Sequence, residues 1–344
     1  MTFAGWSAIC AATVIALVAP IIVRPILERR QVVDVPNDRS SQTKPTVRGG
    51  GVCQLLGVVV GAIIALVFGG VGSHQAVFIV VAMGALAMAV LGLIDDVRRG
   101  LKTYLRMVAQ VVISVAAMVA LGNVTSAPAW AVVVAVLCYG WYVNAVNFMD
   151  GINGITSLHG LIVGVAYAIL GAMTGLPWLV VAGGMVAGAY LAFLPWNVSK
   201  RGLFLGDVGS YLLGAAVAGT AMGAAFCGVP VVAVVAPVWI YVVDTGVTIA
   251  RRIVLRRPIL QADRDHVYQR LVARGLGHLA AAGVVAAFSA VCGLVGLAAV
   301  AGLASVGVAI LVFVLVAGVY LATPAVYRAR GARSRQVEML SSGR

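Results

Sequence analysis

The residues most able to do chemistry fall in a few short segments. Asp95 and Asp96 close an apolar run that ends Leu91-Gly92-Leu93-Ile94. Adjacent residues on a helix point about 100° apart, so the two carboxylates can serve different partners. At a helix C-terminus they face the unfavourable end of the dipole and call for a cation, with Arg98 and Arg99 nearest in the chain. Asn144, Asn147, Asp150 and Asn153 interrupt two further apolar runs, with Gly151 and Gly154 among them. Their spacing predicts a shared helical face leading into a turn, and the glycines allow a ligand to approach the backbone. Asp207 stands in Phe204-Leu-Gly206-Asp207-Val-Gly209-Ser210. It could cap a helix, or hold a hard cation beside backbone N–H groups free for phosphate. His266 and Arg270 are four residues apart in a basic stretch. They read as a phosphate clamp or as a contact for anionic lipid. A first loop carries Lys44 and Arg48 just before Gly49-Gly50-Gly51.

The elements that must position these residues are membrane helices. Of 344 residues, 62% are hydrophobic and 10% charged, and the mean hydropathy is +1.05. A soluble domain carries about 25% charged residues. An ordinary soluble enzyme, a secreted disulfide scaffold and a disordered chain are excluded. The net charge of +13 fits basic loops on the inner side of a membrane. No nucleic-acid-binding module is present, so nucleic acid is not an expected partner. Cys10, Cys53, Cys138, Cys227 and Cys292 form no C-x-x-C pair and read as small apolar residues in helix packing.

A span needs about 20 apolar residues. Eleven runs qualify, near 3–23, 52–70, 76–94, 104–121, 129–146, 155–174, 177–194, 208–226, 230–250, 279–301 and 303–322. The expected fold is an all-α polytopic bundle of about 11 transmembrane helices. Residues 1–323 form one membrane domain and 324–344 a short basic tail. With the N-terminus outside and the C-terminus inside, all 24 Lys and Arg fall on the cytoplasmic side. The positive-inside rule normally gives only a bias. The Asp and Glu residues follow the same partition, which puts all the candidate chemistry on one face.

Taken in order, these segments resemble the polyprenyl-phosphate N-acetylhexosamine-1-phosphate transferases, glycosyltransferase family 4. The matching pieces are D-x-P-N-x-R…P-T-x-R-G-G-G from Asp34, the Asp95-Asp96 pair, and N-x-x-N-x-x-D-G-x-[DN]-G from Asn144. F-x-G-D-x-G-S-x-x-L-G from Phe204 and the basic His266 loop complete the set. The resemblance runs from about residue 34 to 274. It is closer to the O-antigen-initiating subgroup than to the phospho-MurNAc-pentapeptide translocase. Departures are Gln42 where the family often has His, Val47 for Pro, Asn153 for the second Asp of D-G-x-D-G, and a single His in the last loop. They lie where the nucleotide and sugar are held.

The resemblance implies transfer of an N-acetylhexosamine-1-phosphate from a UDP-sugar to undecaprenyl or decaprenyl phosphate. UMP is released and cell-envelope polysaccharide synthesis begins. It implies Mg²⁺, with Mn²⁺ as a substitute, and carboxylates to hold it. Asp95, Asp96 and His266 are then catalytic, and Asp207 and Asp95 bind the metal. Lys44, Arg48, Asn144, Asn147, Asp150, Asn153, Arg264 and Arg270 bind substrate. The implied location is a bacterial cytoplasmic membrane, crossed many times and in contact with its lipids, with the site facing the cytoplasm and a homodimer admitted.

Two rivals come from other classes. A secondary transporter would use Asp244 as an intramembrane carboxylate. It lies seven residues before Arg251, roughly 10 Å along a helix, and so in the inner half. A CDP-alcohol phosphotransferase needs D-G-x-x-A-R, whereas Asp150-Gly151 is followed by Ile-Asn-Gly-Ile.

Overall fold

Long runs of Ala, Val, Leu and Gly leave no water to satisfy the backbone, and a helix satisfies it internally. The structure, a computed structural model, describes residues 1–34, 46–98, 100–199, 202–257 and 265–342, with side chains except Asp34 and those after Tyr327. Its helices are α1 Phe3–Val18, α2 Pro20–Arg29, α3 Val52–Val67, α4 Gln75–Val97, α5 Thr103–Thr125, α6 Ala129–Met149 and α7 Ile155–Thr174. They continue as α8 Pro177–Val198, α9 Gly206–Phe226, α10 Val231–Val235, α11 Trp239–Val254, α12 Val267–Val272, α13 His278–Val300 and α14 Val306–Ser342. Strands β1 Val33–Asp34 and β2 Thr46–Val47 pair antiparallel, Val33 opposite Val47.

Every predicted run is helical, and among the described residues nine spans are long and apolar enough to cross a membrane, counting Val231–Val254 as one. The differences have local causes. The run at 3–23 bends by 43° between α1 and α2, where Pro20 opens the second helix and cannot donate to the first. Helix α2 then continues to Arg29, so Arg24 and Glu28 are helical and paired at 2.8 Å, not part of a loop. Helix α3 has 16 residues, about 24 Å at 1.5 Å per residue, short of the full apolar core. The span from Val231 is interrupted by a 3-10 turn at Ala236–Val238 around Pro237. The final helix runs on past residue 324 without a break.

Helix α9 is the axis of the bundle, buried along nearly all its length. Helix α4 packs along it on one side and α6 on another, while α7 packs along α8. Helices α1 and α3 pack together against α8. The connections on the side expected to be cytoplasmic meet at one end of the bundle. The segment after β2 is hydrogen-bonded to residues 203–205 through Phe204 N to Val47 O, Gly50 N to Phe204 O and Gly51 N to Leu205 O, each at 2.8 Å.

Candidate active site

Two glycines explain how a loop and two helices close over one point. A Cβ on Gly51 would stand 2.3 Å from the Gly209 backbone nitrogen, so only glycine lets the first loop cross α9. Gly206 has φ +76°, and a Cβ there would meet Asp96 Oδ2 at 2.5 Å. The glycine frees the backbone conformation and leaves room for the carboxylate.

The Asp pair does diverge, as helix geometry predicts. Asp96 accepts the backbone N–H groups of Asp207 and Val208, both at 3.0 Å. A carboxylate of α4 thus caps the first turn of α9, where the dipole favours negative charge. Asp207 is therefore not the cap of its own helix; it lies within the first turn. Arg48 joins the two acids, with Nε 2.8 Å from Asp96 and Nη2 2.8 Å from Asp207. Asp95 turns the other way, to Arg106 Nη1 at 3.1 Å and the Leu101 N–H. Among the described residues the cations paired with these acids are Arg48 and Arg106; Arg98 is exposed, and Arg99 lies outside the described residues. The Asp95 and Asp207 carboxyl groups are within hydrogen-bonding reach of each other.

The Asn144 segment does not present one face to one ligand. Asn147 donates to Asp207 Oδ1 at 2.8 Å and to Ser210 Oγ at 3.0 Å, which brings it into the cluster. Asn144 instead donates to Gln110 Oε1 at 3.0 Å and to the Gly140 carbonyl at 2.8 Å, tying α6 to α5. Asp150 ends α6 and accepts from Thr156 at 2.5 Å. Burial pushes the Asp150 carboxyl up to about 6, and the nearby Asp207 charge adds to that while the Thr156 hydrogen bond opposes it. Asn153 is half-buried in the same turn.

The His266 segment forms a second centre beside the first. Tyr268 donates to the Phe148 carbonyl at 3.3 Å, which seats α12 against the end of α6. His266 is buried, with Nδ1 3.0 Å from Asp244 Oδ1. Asp244 also accepts from Val267 N at 3.2 Å and from the Tyr320 hydroxyl at 2.5 Å. All its partners are groups of the protein's own core, which removes the basis for reading it as a transport carboxylate. Arg270 is half-buried one turn beyond His266. Lys44 and Arg264 lie outside the described residues.

Several neighbours carry no sequence signal of their own. Arg106 is one cation among many, and Tyr320 sits in an apolar run. Tyr211 had a signal, since it is four residues after Asp207 and so on the same helical face. Its hydroxyl is buried with no hydrogen-bond partner, within electrostatic range of Asp207, Arg106, Asp95 and Asp96.

Among the described residues no three His, Cys, Asp or Glu side chains are gathered as a metal cage. The donor set nevertheless fits a hard cation that keeps water and takes one or two carboxylates plus substrate phosphate. Three carboxylates, Asp95, Asp96 and Asp207, face two guanidinium groups, Arg48 and Arg106. Among the described residues these contacts hold one carboxylate more than guanidinium groups. Asp95 and Asp207 would repel unless a cation or proton lay between them.

This is a polytopic membrane protein with a cluster of buried carboxylates and arginines at one end. The family described as glycosyl transferase family 4 matches residues 78–225. A probable undecaprenyl-phosphate N-acetylglucosaminyl 1-phosphate transferase of Bacillus subtilis is 28% identical over 291 residues, 78% of this chain and 79% of that one. A decaprenyl-phosphate N-acetylglucosaminephosphotransferase of Mycobacterium tuberculosis is 30% identical over 298 residues, 74% and 72% of the two chains. A phospho-N-acetylmuramoyl-pentapeptide-transferase of Clostridium botulinum is 31% identical over 163 residues, 42% of this chain and 50% of that one. The chain belongs to the polyprenyl-phosphate N-acetylhexosamine-1-phosphate transferase family, and it is a transferase of that type.

Proposed function

We propose that the protein transfers an N-acetylhexosamine-1-phosphate from a UDP-sugar to polyprenyl phosphate, releasing UMP. A phosphate oxygen of the lipid attacks the sugar-bearing phosphorus of the donor. The phosphoanhydride bond to the UMP half breaks, and a polyprenyl-diphosphate sugar remains. Both reactants are anions, so the enzyme must gather charge of the opposite sign. The observation that carries this reading is the set of three buried carboxylates on two helices, Asp95 and Asp96 on α4 and Asp207 on α9, held by Arg48 and Arg106, in a chain of this family.

Asp207 and Asp95 would hold Mg²⁺ or Mn²⁺, which would supply Lewis-acid charge to the pyrophosphate. Asp96 holds the first turn of α9, and with it Asp207, in place. Arg48 links the two acids and leaves its 34% exposed side chain facing the open side of the centre. Asn147 fixes the orientation of the Asp207 carboxylate. The turn at Asp150 and Asn153 borders the centre and would receive the nucleotide, and Arg270 would meet phosphate. The Bacillus subtilis and Mycobacterium tuberculosis relatives, both named for N-acetylglucosamine, favour that sugar. Cell-envelope polysaccharide synthesis is the pathway that consumes such a product.

In this reading the site faces the cytoplasm from a bacterial inner membrane. The support is the charge partition of the sequence, which with the N-terminus outside puts all 24 Lys and Arg on the expected cytoplasmic side. A homodimer rests on the family resemblance alone. The test is to supply the protein in membranes with polyprenyl phosphate and a panel of UDP-N-acetylhexosamines, and to measure UMP and sugar-lipid. Equal amounts of the two products, abolished by chelation and restored by Mg²⁺, are expected. UMP without sugar-lipid would make the protein a hydrolase and refute the proposal.

A further inference from the structure

Asp244 lies outside the carboxylate cluster, yet it is one of the most buried charged residues of the protein, at 1% exposure. An isolated carboxylate in such a place is very unfavourable unless it is hydrogen-bonded. Here three elements converge on it. Helix α14 sends the Tyr320 hydroxyl, and the start of α12 sends the Val267 N–H and His266 Nδ1. Thr248, one turn along α11, adds a hydroxyl at 3.4 Å. Asp244 is only an acceptor in this set, so the proton on the 3.0 Å contact belongs to His266 Nδ1. In the neutral ring that leaves the lone pair on Nε2. Gln269 accepts the His266 backbone N–H at 3.1 Å and steadies the same residue from the chain side.

We propose that Asp244 is a positioning residue for the transfer reaction: with Tyr320 it locks His266 into the Nδ1–H tautomer and presents Nε2 as the acceptor toward the substrate end of the bundle. The proposal rests on the transferase reading for what Nε2 meets, and on the hydrogen bonds alone for the tautomer. Tyr268, two residues on, is bonded to the Phe148 carbonyl, so the ring is held next to the turn that carries Asp150 and Asn153. The final helix, outside the residues that the family match covers, thereby acts on the site through Tyr320.

The test uses the full chain in lipid nanodiscs with ¹⁵N-labelled histidine. Only four histidines are present, and the His266 signals are found by difference against His266→Gln. The unsubstituted protein should show a protonated Nδ1 and a bare Nε2. Asp244→Asn can donate from its amide to Nδ1, so the ring should pass to the Nε2–H form. The kcat for UDP-N-acetylglucosamine and polyprenyl phosphate should then fall about 10- to 100-fold, as for other carboxylates that orient a histidine, with KM little changed. Asp244→Glu should restore the tautomer and part of kcat, and Tyr320→Phe should lose less than Asp244→Asn. A His266 ring still protonated on Nδ1 in Asp244→Asn would overturn the proposal. So would a changed tautomer with undiminished kcat. The tautomer is read without substrate, so a failure of the unsubstituted protein to transfer sugar phosphate would count against the function and not against the hydrogen-bond lock.

Discussion

The carboxylate centre and the His266 centre are neighbours built on opposite electrostatic plans. Around Asp95, Asp96 and Asp207 the protein supplies two arginines for three acids and keeps the Asp207 side chain 12% exposed. Around Asp244 it supplies four donors for one acid and closes it off. The first arrangement holds more carboxylates than guanidinium groups among the described residues. The second is complete, and its product is one oriented ring. Burial alone does not distinguish a charge-handling group from a positioning group; the difference lies in what surrounds the carboxylate, guanidinium groups in the first centre and hydroxyl, amide and imidazole donors in the second.

The largest effect that would break this contrast is at Asp207. Asp207→Asn should lower the transfer rate by about 10²- to 10³-fold, the loss expected when a preorganised charge is removed from an active site. The folded protein should remain, which size-exclusion profile and thermal midpoint would check. Next comes Arg48, which bridges Asp96 and Asp207. Arg48→Lys keeps the charge but cannot serve both acids at once. It should lose about tenfold in rate by the double-mutant logic for a bidentate group, and Arg48→Ala should lose more, in the same UMP assay.

A smaller effect sharpens the border between the centres at Asp150. Its folded value is raised to about 6, against about 4 for a free carboxyl. The folded state holds the extra proton between those values, so stability falls as pH rises through that window. Asp150→Asn keeps an oxygen for Thr156 and never ionises. Its thermal midpoint should therefore gain on the unsubstituted protein from pH 4 to pH 6 and hold a constant lead above. A lead that did not vary with pH would show that the Asp150 charge is not strained by the fold. The smallest effect is at Tyr211. Its hydroxyl has no partner to lose, so Tyr211→Phe should leave the thermal midpoint unchanged or higher. A marked fall would show that the hydroxyl is already bound within the protein.

The spans could be read from the sequence because a run of about 20 apolar residues has few other uses. What escaped was set by single residues and by distance. Pro20 bends the first run, and α2 carries Arg24 and Glu28 one turn further than hydropathy suggests. At the site, residue types were readable but partners were not. Asn144 and Asn147 share a spacing that predicts a common face, yet one holds α5 and the other holds Asp207. The cation for Asp95 is Arg106, eleven residues away, and the hydroxyl for Asp244 comes from Tyr320, 76 residues away. Such pairings arise from helix packing, which no local spacing records.

The most direct test of the contrast is a Mg²⁺ titration of UMP release for the unsubstituted protein, Asp207→Asn and His266→Gln in the same membranes. A carboxylate centre that holds the metal predicts that Asp207→Asn needs far more Mg²⁺ for half its maximal rate. His266→Gln should lose rate while its half-saturating Mg²⁺ stays within about twofold, since the group acts on the turnover step and not on the metal. If His266→Gln shifted the Mg²⁺ requirement and Asp207→Asn did not, the metal would belong to the His266 centre, and the account given for both centres would be wrong.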